Sequence, residues 1–292
     1  MVASFSGKAP QMFWSAIQIA LLVYLGLAAI IFFRQSSLVF LPEIDRGYAA
    51  NPSDIGLEYT SLKLRTADGE TLDGWHVPAT AGREKRGLVL FFHGNAGNIG
   101  HRLDYLRMFH DLGLATLIID YRGYGRSSGT PSEEGSYHDA EASWQHATKA
   151  LGFAPDGIVL FGESLGGVVA AKLAEGHRPG ALILVSTFTS VPDLGAELYP
   201  WLLVRLLARI HYDTLNRLPR IACSKPPAQR SSSMKSMAAT TKASSLPARN
   251  GYEKWTDSCA APCPERPPPR LLRRPPPWPS SPDRARSPSA SR

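Results

Sequence analysis

Cysteine is absent from the first 220 residues, and the three that exist, Cys223, Cys259 and Cys263, lie near the end of the chain. An odd number cannot all pair within one chain, and none stands at a zinc-binding spacing from a histidine. No disulfide framework and no metal site is expected. Histidine is also scarce, with eight in 292 residues and none after His211. Acidic residues thin out in the same region: residues 221–292 hold 13 Lys and Arg against four Asp and Glu, while residues 1–220 hold 19 against 21. The net charge of +7 therefore belongs to the tail and marks no basic domain, so no nucleic-acid partner is expected.

Charge is missing altogether from Met12 to Phe33 (MFWSAIQIALLVYLGLAAIIFF). A helix of that length, at about 1.5 Å per residue, spans the roughly 30 Å hydrocarbon layer of a bilayer. The run is too long for a signal-peptide core, and no small-residue cleavage site precedes Arg34. Residues 12–33 are expected to form a single-pass N-terminal membrane anchor. Lys8 before the span and Arg34 and Arg46 after it leave its orientation open.

Beyond the linker prolines Pro42 and Pro52, the chain alternates strand and helix patterns. Leu62–Arg65 and Leu72–Val77 read as two strands joined by the turn Ala67-Asp68-Gly69. Leu88–Phe92, Ala115–Ile119, Ile158–Phe161 and Ala181–Val185 are short apolar runs of the kind buried on both faces of a parallel sheet. Helical patterns at 101–112, 134–151 and 164–175 separate them, with Gly113 and Gly152 as stops. This order predicts an α/β fold, a mostly parallel sheet flanked by helices. The apolar stretch Leu194–Ile210 is expected to pack against the sheet, in preference to forming a lid or a membrane-apposed segment. Past Pro219 no strand or helix signal is visible, and 14 of the 24 prolines lie in residues 221–292, which are expected to form a disordered tail.

Three motifs carry chemistry. Gly162-Glu163-Ser164-Leu165-Gly166 follows an apolar strand and opens a helix, the context a G-x-S-x-G nucleophile elbow requires. Such a turn leaves Ser164 as candidate nucleophile at a helix N-terminus, where the helix dipole favours negative charge. The main-chain N–H of Leu165 then supplies one oxyanion donor. His93-Gly94-Asn95-Ala96-Gly97-Asn98 follows another strand, and the Asn95 N–H is the best second donor. His93 is read as a prop for this loop and not as a base. Asp120-Tyr121-Arg122-Gly123-Tyr124-Gly125-Arg126-Ser127 borders the same crevice, with its arginines more suited to pairing with acids than to substrate.

Together HGNAGN, DYRGYGRS, GESLGG and TFTSVPDLGAELYP resemble the α/β-hydrolase superfamily over about Leu57 to Leu218. More narrowly they are similar to small, N-terminally anchored serine hydrolases related to acyl-protein thioesterases and labelled as serine aminopeptidase domains. The resemblance implies hydrolysis of an ester or thioester through an acyl-enzyme on Ser164, a small acyl or lipid-like substrate, and no cofactor. It also implies an acid and a histidine after Ser164, borne on two further strands. His177 falls just past the nucleophile helix and His211 before the strand expected to carry the acid. Asp193, in the loop after Val185, is a poor substitute for that acid. The hydrolase domain of residues 57–220 is thus expected to lack its last two strands. A shifted reading of the codons for Met237 to Ser244 permits Gly-Gly-His-Asn-Glu-Gly-Phe, the kind of motif that carries the histidine, so the tail reads as out of frame. The competing reading is a catalytically inactive hydrolase or pseudo-enzyme whose Pro/Arg-rich tail docks on partner domains.

Overall fold

The computed structural model describes residues 8–42, 47–80, 82 and 87–224. The charge-free stretch lies inside a single helix, α1 (Lys8–Val39). Most of its apolar side chains are exposed, and it is long and apolar enough to cross a membrane.

Six strands follow: β1 (Thr60–Arg65), β2 (Thr71–Val77), β3 (Leu88–Phe92), β4 (Ala115–Ile119), β5 (Ile158–Glu163) and β6 (Ala181–Val185). They form one sheet in the order β1-β2-β4-β3-β5-β6. The β1–β2 and β2–β4 pairs are antiparallel, while β4, β3, β5 and β6 run parallel. The β1–β2 turn closes at Gly69, whose positive φ of 95° a side chain would resist.

Helices α2 (Leu103–Asp111), α3 (Glu133–Gln145) and α4 (Leu165–Gly176) connect the parallel strands. Leu88, Leu90, Phe92, Leu117 and Leu160 meet Trp144 and Val168 on one face of the sheet. Val89, Phe91, Ile118 and Phe161 meet Leu106 and Phe109 on the other. Every residue of β3 and β4 is buried, which is why those runs are apolar without alternation. Ser132 caps α3 by accepting the Gly135 N–H at 3.0 Å. The helix expected over 134–151 divides at Gln145 into α3 and one wider turn, His146–Ala150.

β6 differs from the inner strands. Among the described residues it pairs only with β5, and four of its five residues are partly exposed. No strand beyond it is present among the described residues.

Two expectations need correction. The stretch 194–210 packs only in part, with Leu202 and Ile210 buried and Ile210 joining the core beside the sheet. It forms α5 (Val191–Leu198) and α6 (Val204–Leu207), neither with a fully buried residue, and leaves Leu198, Tyr199, Trp201, Leu203 and Leu206 exposed. Its apolar periodicity indicates that one side avoids water but not what covers that side. Regular structure also does not stop at Pro219, because Leu218–Ser224 is a helix, α7, packed on α4. Pro219 falls in the first turn, where no N–H is needed, and Ile221 is buried beneath it. The rest of the expected tail, from residue 225, lies outside the described residues.

Candidate active site

The turn between β5 and α4 is centred on Ser164. Its φ of 51° and ψ of −113° are costly for a residue with a Cβ. Two glycines make the turn feasible. A Cβ on Gly162 would lie 2.4 Å from the Gly166 carbonyl oxygen, and one on Gly166 would lie 2.0 Å from that of Phe92. The Ser164 N–H donates to the Val185 oxygen at 2.8 Å, and the Thr187 hydroxyl donates to the Ser164 oxygen at 2.7 Å. The strained conformation is therefore held from both sides. Ser164 is half-buried and opens a helix of 12 residues, with Leu165 as its first member.

The His93–Asn98 loop leaves the carboxyl end of β3, the strand next to β5. Asn95 is half-buried, and its Oδ1 accepts from the Leu41 N–H at 3.2 Å and the Tyr124 hydroxyl at 3.1 Å. The His93 ring is fully buried, 2.7 Å from the Gly94 oxygen through Nδ1 and 3.5 Å from Asp120 Oδ1 through Nε2, and packed against Tyr121. It sits inside the loop as a prop.

Two residues not singled out from sequence stitch loop to elbow. Glu163, next to Ser164, accepts at Oε2 from Arg102 Nε at 2.9 Å and from the Gly94 N–H at 3.3 Å. Arg102 also donates to the Ala96 oxygen at 3.1 Å. Asp120 plays a similar part below: its Oδ1 accepts the Ile99 N–H at 3.0 Å and its Oδ2 the Tyr48 hydroxyl at 2.7 Å. Burial, then the Asp120 carboxylate, push the Tyr48 phenol far above its ordinary range, so it remains a donor.

Of the two arginines of the DYRGYGRS motif, Arg122 is committed to carboxylates and Arg126 is exposed. Arg122 is forked onto Asp68, at 2.6 and 3.0 Å, and its Nε reaches the buried Asp139 at 2.9 Å. Arg126 lies over the Tyr48 ring.

Among the described residues the other half of a hydrolytic triad is not assembled around Ser164. Among the described residues no histidine side chain is hydrogen-bonded to Ser164. His177, at the far end of α4, is 2.8 Å from Glu141 and stacked on Trp144. His211 is exposed, with its N–H donated to Glu133. Asp193 lies in the first turn of α5, where its main-chain N–H donates to the capping Ser190 hydroxyl at 3.1 Å, and its carboxylate pairs with Arg205 at 2.9 Å. Among the described residues there is also no cluster of three potential metal ligands.

Residues 83–248 match the family described as serine aminopeptidase, S33. The chain belongs to that family of α/β-hydrolases. The mostly parallel sheet, the turn at Ser164 after β5 and the Gly-rich loop after β3 accord with that family. The match begins after β1 and β2 and runs past Arg220, so its limits differ from the 57–218 read from motifs. A Mycobacterium tuberculosis protein, Rv2307c, is 37% identical over 205 residues, covering 70% of this chain and 72% of its own length. Protein bem46 of Schizosaccharomyces pombe is 38% identical over 173 residues, 57% of this chain and 58% of that protein. A lysophosphatidylserine lipase of Danio rerio, ABHD12, is 33% identical over 197 residues, 58% of this chain and 51% of that protein.

Proposed function

We propose that this S33-family chain carries the acylation half of a membrane-anchored serine hydrolase site, built for esters or thioesters of small lipid-like acyl groups. Ser164 Oγ attacks the acyl carbonyl, and the main-chain N–H groups of Leu165 and Asn95 receive the oxyanion. The C–O or C–S bond then breaks, the departing alcohol or thiol takes the proton that Ser164 Oγ gives up, and water cleaves the acyl–Oγ bond, releasing the acid and returning a proton to Ser164. Helix α1 anchors the domain in a single pass. The observation that carries this reading is the left-handed Ser164 between β5 and α4, since strain held at one serine by Gly162, Gly166 and Thr187 serves exposure of its hydroxyl. A relative named as a lipase of a single-chain phospholipid supports the ester class.

Turnover by the 292 residues themselves is proposed to stay at the level an elbow and oxyanion donors reach without a base. The supporting observations are the absence of histidine after His211 and the engagement of His177 with Glu141. The substrate class is tested on a chimera in which residues after Leu218 are replaced by the corresponding C-terminal part of the M. tuberculosis relative. Ser164-dependent cleavage of lysophospholipid or acyl-thioester substrates, with aminoacyl amides left intact, is expected. Preferential release of amino acids from amides would overturn the ester assignment.

A further inference from the structure

We infer that the exposed apolar face of residues 198–206 is an interfacial membrane contact, seated in the headgroup layer of the bilayer that α1 enters. The inference rests on the anchor reading of α1 and adds to it a second, in-plane attachment.

Depth is set by one side chain. The charge-free stretch of α1 ends at Phe33, so Arg34 and Gln35 stand at the boundary between hydrocarbon and headgroups. At that level the Gln35 amide clasps the chain after α6: Nε2 donates to the Leu207 oxygen at 2.6 Å, and Oε1 accepts the Arg209 N–H at 2.7 Å. The Arg209 guanidinium lies 5.4 Å above the Phe32 ring. Residues 207–209 are thereby pinned to the boundary turn of the anchor.

The residues just before them are those that avoid water without protein cover. Leu206 is 79% exposed, Leu203 63% and Trp201 56%, with Tyr199 edge-on to Trp201. A cluster of leucines with Trp and Tyr has the composition of a membrane interface, apolar side chains below the headgroups and aromatic rings among them, while the neighbouring Arg205 is paired with Asp193. Continuity with the anchor through Gln35 identifies the occupant as lipid and not a second protein. The segment continues from β6 through Thr187, which holds the Ser164 carbonyl, so this attachment turns the elbow side of the sheet toward the lipid.

The test uses the full chain with Cys223, Cys259 and Cys263 changed to Ser, reconstituted in phosphatidylcholine/phosphatidylglycerol vesicles. An environment-sensitive fluorophore is attached at Leu206→Cys or, as control, at Ala154→Cys, an exposed position before β5. The Leu206 probe should emit to the blue, be quenched by lipids brominated near the headgroup and resist aqueous iodide; the Ala154 probe should behave oppositely. Gln35→Ala should raise iodide access at Leu206 while the chain stays membrane-integral. Iodide quenching at Leu206 equal to that at Ala154 overturns the proposal, as does a blue-shifted Leu206 probe insensitive to brominated lipid, which would mean protein cover. Carbonate extraction separates the two readings. Release of the chain overturns the anchor and this proposal together, whereas a retained chain with a water-exposed Leu206 probe overturns this proposal alone.

Discussion

Glu163 Oε2 and Arg102 Nε lie 2.9 Å apart, and this ion pair joins the residue beside the candidate nucleophile to the loop bearing the candidate oxyanion donor. Both side chains are mostly buried, and the same oxygen accepts the Gly94 N–H. Arg102→Ala should therefore cost about 1.5–3 kcal/mol, the range for hydrogen bonds to charged groups. In the chimera it should also lower kcat more than it raises KM, because what it loosens is the position of the Asn95 loop. Urea unfolding and steady-state kinetics check the two effects separately.

How much of this was legible in the sequence depends on the range of each interaction. Strands β3 and β4 could be read directly, since central parallel strands are apolar on both faces and Leu88–Phe92 and Ala115–Ile119 are unbroken runs. The elbow was legible because sterics force glycine at positions 162 and 166. The Glu163–Arg102 pair was not, because 61 residues separate its partners and neither residue type signals the other. The same holds for Asn95, whose side chain is held by Leu41 and Tyr124 from distant segments. Helix α7 was missed because Leu218 and Ile221, which pack on the core, give no clear periodic pattern in seven residues.

Arg122 holds two carboxylates, one of them fully buried. Arg122→Ala should destabilise the domain by about 3–5 kcal/mol at neutral pH, as expected when one member of a buried ion pair is removed. The deficit should shrink on acidification. Burial holds the Asp139 carboxyl above its ordinary 3.8, so without the arginine the folded state takes up a proton that the unfolded state lacks. Arg122 lowers that carboxyl in the parent, which still stands at about 6, so the difference between variant and parent grows as pH rises above about 6. Asp68 acts with the same sign: hydrogen bonds from Arg122 hold it below the carboxylate range, a gain present above about pH 4 and lost below. Unfolding of parent and variant at pH 5 and pH 7.5 should show the larger difference at pH 7.5.

Strand β6 leaves one row of main-chain groups unpaired among the described residues, with Ile183 and Val185 only partly covered beside it. An open edge next to exposed apolar side chains is a template for association. The fragment 47–224, expressed without α1, is expected to elute from gel filtration as concentration-dependent oligomers and to unfold without a cooperative transition. A monomer unfolding cooperatively would show that the sheet is complete as it stands.

The central claim is that nucleophile and oxyanion donors are in place while base and acid are not. It is tested most directly by hydrolysis of a short-chain nitrophenyl ester by four proteins: the chain, its Ser164→Ala variant, the chimera, and the chimera carrying Ser164→Ala. Without a base, the chain should keep at most the on the order of 10³ to 10⁴ over water that oxyanion stabilisation and binding leave in well-studied triads. Ser164→Ala should change that little. The chimera alone should turn over robustly and lose its activity with Ser164. Robust, Ser164-dependent hydrolysis by the unmodified 292 residues would contradict the account and place a working base within them.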